Sequence, residues 1–184
     1  MKVVIQLAAL FEIQGAQSYL GEAVTQAQHM LQTGALAEAA GSPDALIAAA
    51  LLHDVGHFQG RLTGEDLMGG IDNCHEETGA AYLRRWFASD VSEPVRLHVA
   101  AKRYLCHAEP GYLAALSPAS RRTLEVQGGP MRSPEARVFE GLQHFSAALS
   151  LRRWDDLAKD PSAVPPPFAH FAPLLEALAE QDPD

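Results

Sequence analysis

The segment "AALLHDVGHF" (residues 49–58) places His53, Asp54 and His57 inside an otherwise apolar, alanine- and leucine-rich run. An ionised carboxylate in such surroundings is costly unless it is paired or bound to a cation, and a metal ion answers the need of the imidazoles and the carboxylate together. Side chains at successive helical positions point ~100° apart, so His53 and Asp54 can both reach one centre beside the helix. His29, His75, His98 and Asp155 lie on other segments with apolar spacing and can point inward. His29, His53, Asp54 and Asp155 would make one metal site. His75 and His98 supply a second, with Asp54 as the bridge that holds two ions roughly 3.5–4 Å apart. Nitrogen and oxygen donors suit Fe, Mn or Zn.

Several other side chains fall near these positions. His57 is one turn after His53 and Lys102 one turn after His98, each on the side of a metal-ligand candidate. A lysine beside a dinuclear centre is repelled unless an anion lies between them; its ordinary fate is to reach for solvent. Ser120 and Thr123 stand three residues apart near a helix start, where capping is their ordinary role. Arg152 precedes Asp155 by three residues, and spacing does not choose between Asp155 and Asp156 as a ligand. Tyr19, Glu22, Gln26 and His29 share one face if a single helix carries them. His107, His144 and His170 are set aside as ligands, Cys74 reads as a small buried residue, and Glu76 and Glu77 suit a helix N-terminus.

The elements that must position these groups are helices. No run alternates with period two, whereas helical spacing recurs over 20–40, 44–58, 75–88, 92–106, 117–126, 134–149, 150–158 and 168–180. Ser42-Pro43-Asp44, Ser117-Pro118 and Ser133-Pro134-Glu135 mark helix starts. Glycines in "MGGID" and "QGGPM" break the chain, and the Pro-rich "KDPSAVPPPF" cannot continue a helix. The expectation is an all-α bundle with a dinuclear site in its core. It forms a single domain over 1–184, with a core at roughly 17–161 and a C-terminal connector and helix at 161–184.

Composition excludes several classes. The chain of 184 residues carries a net charge of −9, with no basic stripe for nucleic acid. No apolar run is long enough to span a bilayer, and no signal peptide is evident at the N-terminus. Two cysteines, Cys74 and Cys106, do not make a disulfide framework, so a cytoplasmic location is expected.

The order His29 … His53-Asp54 … Asp155 resembles the HD-domain superfamily of metal-dependent phosphohydrolases. With His75 and His98 inserted, and Tyr19 and Glu22 in "YLGEAVTQAQH", the chain looks most like mixed-valent diiron oxygenases of the PhnZ type, related to myo-inositol oxygenase. The resemblance covers roughly residues 17–161. It implies two Fe ions, Fe(II) and Fe(III), with O2 as co-substrate. The reaction it implies is oxidative cleavage of the C–P bond of a 1-hydroxy-2-aminoethylphosphonate or its N-trimethyl analogue, releasing phosphate and glycine or glycine betaine. It further implies that Tyr19 and Glu22 gate the substrate-binding iron. His57, Lys102, Ser120, Thr123 and Arg152 would hold the phosphonate, and Asp155, within Arg-x-x-Asp, would be the last ligand. The alternative is a dinuclear HD phosphohydrolase acting on a nucleotide or small phosphate ester, which the same His and Asp ligands would serve.

Overall fold

The computed structural model describes residues 2–19, 21–59 and 64–180. In chain order the helices are α1 (Lys2–Ile13), α2 (Gln26–Ala39), α3 (Asp44–Leu52), α4 (Gly64–Met68), α5 (His75–Leu83) and α6 (Ser89–Ala108). They continue with α7 (Tyr112–Ala115), α8 (Pro118–Val126), α9 (Ser133–Glu140), α10 (Phe145–Leu157) and α11 (Phe168–Leu178), and a 3-10 turn covers Val55–Phe58. Among the described residues the only β-type pairing is an isolated bridge between Ser18 and Thr25.

Five helices enclose the site: α6 packs on α3, α5 and α10, and α2 packs on α3 and α10. The core strings together α3, which is buried along Ile47–Leu52, with Met30, Leu83, Val95 and Leu151 from its neighbours. Gly34 of α2 lets Leu51 approach closely; a methyl group there would sit 3.1 Å from the Leu51 Cβ. A second cluster, of Leu97, Ala101, Met131, Ala136, Phe139 and Ala148, ties α9 to α6 and α10.

Several expected helix bounds shift, for local reasons. The 20–40 helix begins only at Gln26, because Thr25 caps it: its hydroxyl accepts from the Gln28 backbone N–H while the Gln28 side chain accepts from the Thr25 N–H. The 44–58 helix stops at Leu52, and His53-Asp54 turn the chain into the 3-10 segment. The break in 134–158 falls at Gly141, not at residue 149. The 92–106 helix extends to Ser89–Ala108 and runs through Pro94, near its start. Helix α1 was not anticipated, although Val3, Val4, Leu7 and Phe11 are buried at helical spacing.

Candidate metal centre and anion pocket

His29 comes from α2, His53 and Asp54 from the turn after α3, His75 from the first residue of α5, His98 from α6 and Asp155 from α10. All six are buried. Every one of the four imidazoles has its Nδ1 against an oxygen. His29 Nδ1 lies 2.9 Å from the Ala158 carbonyl, His53 2.9 Å from Ala50, His98 2.7 Å from Val95, and His75 3.1 Å from Asn73 Oδ1. These oxygens accept only, so each Nδ1 carries the hydrogen and each Nε2 is the atom that offers a lone pair when the ring is neutral. That outer support is the usual partner of a metal-bound histidine.

The four Nε2 atoms converge on Asp54 in two pairs. His29 and His53 stand 3.6 and 3.3 Å from Asp54 Oδ2, whereas His75 and His98 stand 3.4 and 3.6 Å from Oδ1. Within each pair the two nitrogens are 3.1 Å apart. Asp155 Oδ1 is 3.3 Å from His29 Nε2. Asp54 Oδ2 and Asp155 Oδ1 are buried without a hydrogen-bond partner. Ligands ~2.1 Å from one ion at 90–110° lie ~3.0–3.4 Å from one another. The donor set therefore fits two cations that share Asp54. The groups His29–His53–Asp54 and Asp54–His75–His98 each bring their ligand atoms within 4.8 Å.

Electrostatics follow from this crowding. Burial and the neighbouring His75 and His53 hold His98 well below the usual imidazole range, in the neutral form that binds a cation. Burial opposes ionisation of Asp54, but the charge and hydrogen bond of His53 outweigh it and hold the carboxyl well down. Burial likewise opposes Asp155, and Arg152 keeps it ionised. The two adjacent aspartates are placed differently. Asp155 faces His29, while Asp156 is taken by Arg152 and by the Tyr112 hydroxyl.

Tyr19 and Glu22 do not share a helical face with His29, because α2 starts after them. They lie in a turn in which the Tyr19 N–H donates to Val24 O and the Glu22 N–H to Tyr19 O. The turn still brings Tyr19 to the centre: its ring stacks on His29 with centroids 3.9 Å apart. Burial, then Asp54 and Asp155, push its phenol well above the ordinary range. Glu22 Oε1 accepts from the Ser117 hydroxyl at 2.6 Å.

Beside the metal candidates opens a small pocket, with a cavity volume of about 30 Å³, lined by Tyr19, Glu22, Asp54, His57, His75, His98, Lys102, Ser120, Thr123, Arg152 and Asp155. Lys102 Nζ donates to Thr123 Oγ1 at 2.9 Å, and burial with Arg152 nearby lowers its pKa to about 7. His57 Nδ1 accepts from the Asn73 amide at 3.1 Å, so its unpartnered Nε2 carries the hydrogen toward the pocket. Burial and His75 lower the His57 pKa to about 3, leaving it a neutral donor. Arg152 reaches the pocket, but its N–H groups engage Asp155 at 2.5 Å, Asp156 and Tyr112.

Cys74 is exposed, not buried, and it is the only non-glycine among the described residues with a left-handed φ, 44°. The turn it makes sets Asn73 between His57 and His75. His107, His144 and His170 lie away from the centre; His170 pairs with Glu38, and His144 stands 3.8 Å from Asp90. Asn73 and Lys159 were missed. Asn73 sits in an irregular turn and Lys159 in the break after α10, where no periodicity marks a side as inward. Lys159 Nζ donates to Ser120 Oγ at 2.9 Å and lies 3.7 Å from Glu22 Oε1.

A helical bundle, without strands among the described residues, that gathers four buried imidazoles and two buried carboxylates from five segments is a domain that could hold a metal centre. The HD-domain family model matches residues 27–140, and the chain belongs to that family. It is 39% identical, over 95% of its length and 89% of the relative's, to [1-hydroxy-2-(trimethylamino)ethyl]phosphonate dioxygenase (glycine-betaine-forming) of Leisingera caerulea. It is equally 39% identical, with the same coverage, to hydroxymethylphosphonate dioxygenase of Gimesia maris. An uncharacterised protein of Acanthamoeba polyphaga mimivirus is 38% identical over 93% of this chain and 80% of its own.

Proposed function

We propose that the protein is a dioxygenase that cleaves the C–P bond of a small 1-hydroxyphosphonate. The reading is carried by the similarity, across nearly the whole chain, to two proteins named as phosphonate dioxygenases. The site is consistent with it. Two irons, one Fe(II) and one Fe(III), held by His29, His53, Asp54 and Asp155 and by Asp54, His75 and His98, would bind O2 and accept electrons from the substrate carbon.

The protein's own groups do the positioning. Lys102 and the His57 Nε2–H offer donors to the phosphonate oxygens; Thr123 Oγ1, which accepts from Lys102 and donates to the Ser120 carbonyl, would hold the Lys102 ammonium in place, with Ser120 one turn before it on α8. Arg152 keeps Asp155 ionised and fixed. Tyr19, buried and stacked on His29, lines the pocket with Glu22 and is the group that an incoming substrate would displace. For the simplest substrate, hydroxymethylphosphonic acid plus O2 gives formic acid plus phosphoric acid, which balances without another reductant. Substituted carbinols give the corresponding carboxylic acid.

The test is phosphate release by iron-loaded protein from hydroxymethylphosphonate, 1-hydroxy-2-aminoethylphosphonate and the N-trimethyl compound, with and without O2. Release that requires O2, with one carboxylate per phosphate, is the expected result. Release from phosphate esters in the absence of O2 would replace this reading with the HD phosphohydrolase, in which a metal-bound water attacks phosphorus.

A further inference from the structure

The two dioxygenase relatives differ in whether the substrate carries a cation, and the pocket bears on which kind this chain takes. The inference deepens the C–P-cleaving reading and rests on it. The acidic groups lining the pocket are Glu22, Asp54 and Asp155. Asp54 and Asp155 face imidazoles and Arg152, so Glu22 is the carboxylate left to meet a substrate ammonium. It is already engaged. Its Oε1 accepts from Ser117 Oγ at 2.6 Å and lies 3.7 Å from Lys159 Nζ, which is anchored on Ser120 Oγ at 2.9 Å. The side chains of Glu22 and Lys159 are only 17% and 12% exposed, so solvent screens their charges only in part.

An ammonium entering here meets a carboxylate that is already neutralised and, beside it, a like charge. A trimethylammonium has no N–H and draws instead on aromatic faces. Among the described lining residues Tyr19 is the only Phe, Tyr or Trp, it has a face covered by His29, and the apolar groups around the pocket are Leu67, Val99 and Ala119. Gln127 Oε1 is buried without a partner, but a neutral amide accepts from a hydroxyl as readily as from an ammonium. We propose that Lys159, by neutralising Glu22, makes the pocket select hydroxyphosphonates whose carbinol carbon bears no cationic group, hydroxymethylphosphonate being the smallest.

The experiment measures kcat/KM of the iron-loaded enzyme for hydroxymethylphosphonate, 1-hydroxy-2-aminoethylphosphonate and its N-trimethyl analogue, and calorimetric binding of all three without O2. The wild type should favour hydroxymethylphosphonate at least tenfold. Lys159→Gln, with Lys159→Met as a second variant of similar length, should shift that ratio about tenfold toward the ammonium compounds. Adding Glu22→Gln should abolish the shift. A wild type that favours either ammonium compound overturns the selection while leaving C–P cleavage intact. A Lys159→Gln loss equal for all three substrates also overturns it and makes Lys159 a phosphonate contact. If nothing turns over but the binding order holds, the C–P reading fails and the charge selection stands. If none of the three binds, both fail.

Discussion

Asp54 is the residue on which a two-ion centre depends, because its two oxygens face different histidine pairs. Asp54→Ala should therefore lose both metal ions, whereas His98→Ala should retain about one per chain. Elemental analysis of the purified variants checks this, and equal losses would deny the bridge. Lys102 makes a second residue-level case. Burial and Arg152 lower its pKa to about 7, so above that pH it is mostly neutral until an anion arrives. Binding a phosphonate dianion restores its charge, and the protein should take up about one proton at about pH 9. Calorimetry in buffers of different ionisation enthalpy measures the uptake with methylphosphonate, which has no carbinol to react. Lys102→Met should abolish it. The histidines and Asp54 were legible because polar side chains in apolar helices have few ordinary explanations. Asn73 was not, because its role comes from a turn that brings it between His57 and His75.

At the scale of the element, the site depends on one helix entry and one close approach. The capping box at Thr25 and Gln28 is legible in the sequence as Thr-x-x-Gln, whereas the i, i+3, i+7, i+10 spacing of Tyr19, Glu22, Gln26 and His29 suggests a longer helix. It fixes where α2 begins, and so how the Tyr19–Glu22 turn folds over His29. Thr25→Ala should cost about 1 kcal/mol, seen as a lower Tm, and should weaken substrate binding more than metal binding. Gly56 is less forgiving. A methyl group there would lie 1.8 Å from the His75 carbonyl oxygen and 2.8 Å from the Gly79 nitrogen. The 3-10 turn and α5 must touch backbone to backbone for His75 to reach Asp54. Gly56→Ala should cost about 3 kcal/mol and lower metal occupancy as α5 is pushed outward; full occupancy at unchanged Tm would show that the contact does not position His75. Sequence spacing carries no trace of this constraint, since it depends on a neighbour nineteen residues away.

At the scale of the whole molecule, the six metal candidates span residues 29 to 155, but what encloses them reaches both ends of the described chain. Val3, Leu7 and Phe11 of α1 and Phe171 and Leu175 of α11 belong to the same buried cluster as Met30, Leu51 and Leu151. The rings of Phe11 and Phe168 pack at 47° to each other with centroids 4.8 Å apart, and the Glu180 N–H donates to the Trp86 carbonyl at 2.8 Å. The expected core of 17–161 spans the metal-ligand candidates; the apolar spacing in α1 says only that the helix is buried, not where. If the ends and the metal bundle share one core, they should melt together. Phe171→Ala lies far in sequence from every ligand, yet it should cost about 3–5 kcal/mol. It should also lower the temperature of helix loss and of metal release by the same amount. Circular dichroism and a metal-release indicator, followed in one scan, test this. Coincident shifts would make α11 part of the cooperative unit that holds the ions, whereas an early, separate transition with metal retained would make it an appendage to an independently stable bundle.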